Sequence, residues 1–158
     1  MKLKGIIDYD TINYKEPVLT LEFPYCDFKC DKINKCQVCQ NSSLATEPDI
    51  NISLQEIWHL YKQNPLTKGF CCQGLEPFDS ERELLDFIDF IRSGMKCDDV
   101  IIIYTGYAKS ELLCLDILKN YKNIIIKYGP YLTGYEPHCD KVLGINLASN
   151  NQYGEKIS

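Results

Sequence analysis

Apolar positions fall into short blocks along this chain, separated by polar punctuation. Val18-Leu19-Thr20-Leu21-Glu22-Phe23 reads as a strand that Pro24 halts. Ser53, with Glu56 three residues later, predicts a capped amphipathic helix to about Gln63, ended by Asn64-Pro65. Lys68 to Cys72 is a short apolar run and predicts a buried strand. Asp79-Ser80 opens a second helix to about Ser93, with Leu84, Leu85, Phe87, Ile88 and Ile91 as its buried face and Gly94 closing it. Val100-Ile101-Ile102-Ile103-Tyr104 is the clearest strand, apolar throughout as for a strand covered on both sides. A third helix is predicted over Lys109 to Asn120, another strand at Ile124 to Lys127, and a last one at Val142 to Leu147.

Strands alternating with helices predict an α/β fold with a mostly parallel sheet and right-handed crossovers. Working residues in such sheets sit at the C-terminal ends of the strands. Three segments follow strand ends: a cysteine-rich loop after Phe23, Gly74-Leu75-Glu76-Pro77, and Tyr104-Thr105-Gly106-Tyr107. They are expected on one rim.

Length changes the picture little, since 158 residues suit a single domain spanning 1–158. A net charge of −5 without a basic run argues against direct nucleic-acid binding. No apolar stretch is long enough to span a membrane, and Met1-Lys2-Leu3-Lys4 leads into no signal-like segment. The expected location is cytoplasmic. Cysteine changes the picture most, with nine residues against two histidines. Without an export signal, metal or redox chemistry is favoured over disulfides. Cys71, Cys72, Cys97, Cys114 and Cys139 are scattered and are expected to act as small buried hydrophobes. Cys26, Cys30, Cys36 and Cys39 crowd into fourteen residues. Thiolates that close repel one another unless a cation neutralises them, so the group predicts a metal centre. A structural zinc site would take all four, and a reactive iron–sulfur cluster would take three and keep one iron open. The cysteines alone leave both possible. Glu76 at a strand end can accept hydrogen bonds from an ammonium group, and Gly74 lets a ligand approach the backbone. His59 and His138 have no partner pattern and read as packing or surface residues.

The order of these motifs resembles the radical S-adenosylmethionine (SAM) superfamily, and within it the activating proteins of anaerobic (class III) ribonucleotide reductase. Cys26, Cys30 and Cys39 fit the three-cysteine pattern, with Val38 before the third and Gln40-Asn41 after it. Gly74-Leu75-Glu76-Pro77 is similar to the superfamily's Gly-Gly-Glu-Pro turn. Ile103-Tyr104-Thr105-Gly106-Tyr107, Lys127-Tyr128-Gly129-Pro130-Tyr131, Leu143-Gly144 and Ser149-Asn150-Asn151-Gln152 resemble later activase segments. The resemblance implies a partial (β/α) barrel of the short radical-SAM type. It implies a 4Fe–4S cluster on Cys26, Cys30 and Cys39, and SAM held by Val38, Asn41, Gly74, Leu75, Glu76, Thr105 and Tyr107. It also implies an electron donor such as flavodoxin or ferredoxin, and the glycyl-radical subunit of anaerobic ribonucleotide reductase as partner.

The chain departs from the pattern in places. Eight residues separate Cys30 from Cys39 where the family has two, and Cys36 lies among them. Cys36 is therefore an alternative third ligand or an auxiliary thiol, with Cys39 preferred for its Val38 and Asn41 neighbours. Asn13 to Pro17 replaces a Gly-Pro-Gly-like segment, and Leu75 replaces the second glycine of the turn. Two further readings are a small-molecule radical SAM enzyme similar to deazapurine carboxylate synthase, which demands a polar pocket, and a zinc-stabilised interaction module without catalysis.

Overall fold

The apolar blocks become the central strands of one sheet because a run covered on both faces needs neighbours for its backbone groups as well as its side chains. The computed structural model describes residues 1–158. Two strands lead in, β1 (Lys2–Leu3) and β2 (Gly5–Asp10), followed by β3 (Val18–Phe23). The cysteine loop holds a short helix, α1 (Lys29–Asn34), and β4 (Ile50–Asn51) pairs with β1. Then come α2 (Leu54–Gln63), β5 (Gly69–Gly74), α3 (Glu81–Asp89), β6 (Val100–Tyr104), α4 (Leu115–Leu118) and β7 (Ile124–Tyr128). The chain ends with β8 (His138–Asp140), β9 (Ile145–Leu147) and β10 (Tyr153–Lys156).

The main sheet has six strands in the order β10-β7-β6-β5-β3-β2. Its four central strands run parallel, with Leu19 opposite Phe70, Phe70 opposite Ile101, and Ile101 opposite Ile124. Strands β2 and β10 add antiparallel edges. The fold is mixed α/β around this mostly parallel sheet, which is not a closed barrel. No helix is long and apolar enough to cross a membrane.

Alternation along the strands divides the core. Leu19, Leu21, Phe70, Ile101, Ile103 and Ile124 pack with Ile57 and Tyr61 of α2 and with Leu84, Phe87 and Ile88 of α3. Phe70 anchors that layer, 4.2 Å from the Tyr61 ring and 5.4 Å from that of Phe87. The opposite face carries Val18, Cys71, Val100, Ile102 and Ile125, covered by Tyr14, Leu143 and Leu147 instead of a helix. Ser53 and Glu56 form the expected capping box on α2.

Three expectations need correction. The helix predicted from Lys109 to Asn120 is a 3₁₀ turn at Lys109–Glu111 followed, after a break, by the single turn of α4. Its apolar residues crowd every side instead of forming one stripe. The chain therefore buries Cys114, Leu115 and Leu118 while leaving Leu113 94% exposed. The strand predicted at Val142 to Leu147 begins only at Ile145 and lies outside the main sheet, paired with β8. Asp140 accepts the Val142 and Leu143 N–H groups at 2.9 and 2.8 Å, and that turn takes up the first part of the run. Among the scattered cysteines, Cys71, Cys72 and Cys114 are buried, but Cys97 is half-buried and Cys139 is exposed on the two-stranded hairpin.

Candidate metal centre

Strand β3 delivers the chain to the rim at Pro24, and the loop beyond it is shaped by short side chains that bind nearby backbone. Asp27 accepts the Lys29 N–H at 3.0 Å while Phe28 takes a left-handed conformation, so α1 starts abruptly and carries Cys30 inward. Lys35 ends α1, also left-handed. Asp31 then draws the returning chain back, accepting both the Val38 and Cys39 N–H groups at 2.8 Å. Asn41 fastens the loop to the next strand by donating to the Gly74 carbonyl at 2.7 Å.

Gly74 ends β5 with φ +91°, and a Cβ there would lie 2.8 Å from the Glu22 Cα. Only glycine fits, because both the conformation and the close strand forbid a side chain. The chain then turns so that Glu76 is buried, 5% exposed. Its carboxylate accepts the Gly106 N–H at 2.8 Å and the Phe78 N–H at 3.2 Å. Burial outweighs those bonds and pushes the carboxyl up to about 7.

A cavity of about 140 Å³ opens between these strand ends. The loop contributes Cys26, Cys30, Cys39 and Asn41 to its wall. The later strand ends contribute Gly74, Leu75, Glu76, Thr105 and Lys127. The three suspect segments thus share one rim. Cys36, Val38 and Tyr107 do not line the cavity. Cys36 is exposed and donates to the Asn34 carbonyl at 3.3 Å. Val38 contributes its backbone to the Asp31 contact. Tyr107 donates its hydroxyl to Asp79 at 2.7 Å, with the Lys29 ammonium 4.7 Å from its ring centre.

Two of the three cavity sulfurs are hydrogen-bond acceptors: Cys26 receives the Phe28 N–H at 3.2 Å and Cys30 receives the Tyr131 N–H at 3.3 Å. The Phe28 bond favours a Cys26 thiolate, but burial outweighs it and lifts that thiol to about 12. A thiol so disfavoured as an anion ionises when a cation coordinates it. The three sulfurs do not all converge within 4.8 Å of one another, as a cysteine-bound tetrahedral zinc, with sulfurs about 3.8 Å apart, would require. A donor set of three spread thiols on a cavity suits a cluster whose iron corners each take one. Asp27 and Asp79 do converge with Cys26 within 4.8 Å, although both carboxylates face solvent.

Pattern reading missed two groups. Lys127, 7% exposed in an otherwise apolar strand, puts its ammonium on the cavity wall and donates to the Gly129 carbonyl at 2.9 Å. Burial pulls it down to about 8 against the opposing pull of Cys30 and Glu76. A lone charge in a covered strand was the available signal. The other is Asn34, whose side chain joins α1 to the loop after β7. Nothing in a short polar insert marks such a residue.

No curated protein and no solved structure matches the chain. A family model described as a 4Fe-4S single cluster domain matches residues 18–145, from the first residue of β3 to the first of β9 and so across all three cavity cysteines. A match over that much of the chain, with a thiol set that fits the group it is named for, shows that this chain belongs to the 4Fe-4S single cluster domain family.

Proposed function

We propose that the chain is a radical SAM enzyme that generates a glycyl radical on the glycyl-radical subunit of an anaerobic ribonucleotide reductase. One observation carries the reading: three thiols, two of which accept a backbone N–H, share a cavity with a buried glutamate and a buried lysine. Cys26, Cys30 and Cys39 would hold the cluster, and the cavity they line with Glu76 would take SAM. Cys36 is left out as a free loop thiol. When bound, the reduced cluster and SAM together supply reductive C–S cleavage, giving methionine and a 5′-deoxyadenosyl radical.

The chain's own residues bind and exclude. Glu76 accepts the ligand's ammonium group, which also holds the carboxylate ionised despite its burial. The Gly74-Leu75 backbone and Asn41 line the approach, Thr105 packs beneath, and Val38 and Tyr107 steady the loop and rim from outside. An open, mostly parallel six-stranded sheet is compatible with a partial (β/α) barrel of the short radical-SAM type, which this reading takes the fold to be. An electron donor such as flavodoxin or ferredoxin, acting in the cytoplasm, completes the scheme.

A second reading has its own observation. A recess of about 400 Å³ adjoins the cavity, and the two share Asn41, Gln73, Tyr104, Lys127 and Gln152. Carboxamides of Asn13, Gln40 and Asn146 add to its wall. Its polar side chains support a reading in which a small heterocyclic substrate binds here. Anaerobic reconstitution with iron, sulfide, reductant and SAM tests the shared chemistry, with 5′-deoxyadenosine as product. Adding the reductase and finding a glycyl radical by electron paramagnetic resonance supports the first reading. Cleavage without that radical, but with turnover of a carboxylated heterocycle, supports the second. Colourless protein holding one zinc ion overturns both.

A further inference from the structure

Two of the cavity sulfurs obtain a hydrogen bond, and by different routes. Cys26 receives its own from Phe28, two residues along the same loop. The donor to Cys30 is the Tyr131 N–H, 101 residues away in the loop after β7. A local donor follows from the loop's own turns, whereas a remote one stays in place only if something joins the two loops.

Asn34, the last residue of α1, makes that join. Its Nδ2 donates to the Cys30 carbonyl at 2.7 Å and to the Tyr131 carbonyl at 2.8 Å. Its Oδ1 accepts the Thr133 N–H at 2.8 Å and the Thr133 hydroxyl at 2.9 Å. Both donors and both acceptor positions of the carboxamide are therefore used across one junction. The residue exists at this place because of the eight residues between Cys30 and Cys39, which fold into α1 and its return.

We propose that Asn34 is a positioning residue that sets the reduction potential of the cluster by holding the Tyr131 N–H on the Cys30 sulfur. The proposal rests on Cys30 being a cluster ligand. An N–H on a ligating sulfur withdraws electron density and favours the reduced, more negative state of the cluster. Losing it shifts the potential to more negative values. A purely structural asparagine would lower stability and leave the potential unchanged.

The test is a redox titration of reconstituted full-length protein, followed by electron paramagnetic resonance, for wild type, Asn34→Ala, Tyr131→Pro and the double variant. Tyr131→Pro removes the N–H directly. The expected result at equal iron content is a negative shift in each single variant and no further shift in the double one. A wild-type potential in Asn34→Ala overturns the proposal, as does a double variant whose shift is the sum of the two. Should Asn34→Ala fail to hold iron, amide exchange at Tyr131 in the metal-free chain decides. Faster exchange than wild type supports the proposal, and unchanged exchange overturns it. A chain that shows the shift but never cleaves SAM leaves this role standing and sinks the radical reading, while cleavage with an unshifted potential does the reverse.

Discussion

The two ends of the sheet treat buried charge in opposite ways. Where β6 and β7 begin, Arg92 donates to the carbonyls of Lys122, Cys97 and Asp99 at 2.8, 2.6 and 2.8 Å, and more distantly to that of Asn123. Nearby, the Tyr61 hydroxyl and the Cys97 thiol both donate to Asp99. The buried guanidinium there is matched inside the protein. Where the strands end, Lys127 has one acceptor for three donors, and Glu76 is buried among backbone donors with its carboxyl raised. Closed networks hold a structure together, while charges buried with capacity to spare mark a place for a ligand.

The strongest way to break this contrast is to remove the thiols. Replacing Cys26, Cys30 or Cys39 by alanine is expected to abolish iron loading and the brown absorption near ~400 nm, while Cys36→Ala leaves four irons per chain in place. Iron-free Cys36→Ala beside a fully loaded Cys39→Ala would reverse the ligand assignment. At the opposite end, Arg92→Met strands backbone carbonyls under the core and should cost about 3 kcal/mol in urea denaturation of the metal-free chain. An unchanged midpoint would mean that network is dispensable.

Smaller effects come from the open end. The Glu76 carboxyl, raised to about 7 in the folded chain, binds protons more tightly there than when unfolded. Stability of the metal-free protein should therefore fall as pH climbs from about 4.5 to about 7, by about 3 kcal/mol. Glu76→Gln should flatten that slope and, under the proposed function, weaken SAM binding at least tenfold, with denaturation curves across pH and calorimetry as the readouts. For Lys127, lowered to about 8, the sign is opposite. Its cost is present below pH 8 and fades as pH climbs toward 10.5. Lys127→Met should stabilise the metal-free chain at pH 7 by about 2 kcal/mol. A loss of stability instead would class Lys127 with Arg92 as structural.

Much of the frame was legible because it depends on local pattern. The covered strands β3, β5, β6 and β7 are the chain's apolar runs, and the capping box of α2 is written in Ser53 and Glu56. The edge strands β2 and β10 escaped notice because they are short, mix apolar with charged residues and glycine, and are largely uncovered, so that only a neighbour makes them strands. The split of the Lys109–Asn120 stretch escaped for a related reason: a crowded apolar stretch does not say which residues a particular sheet will bury.

Sequence by itself determined that four thiols lie in one short loop after a strand and that a carboxylate follows the next. Covalent spacing and strand patterning are enough for that. Only tertiary structure separated Cys36 from the other three, brought Lys127 to the cavity and carried the Tyr131 N–H to Cys30. Which sulfur faces a cavity and which charge stays unmatched depend on contacts between residues far apart along the chain, and local sequence does not encode those.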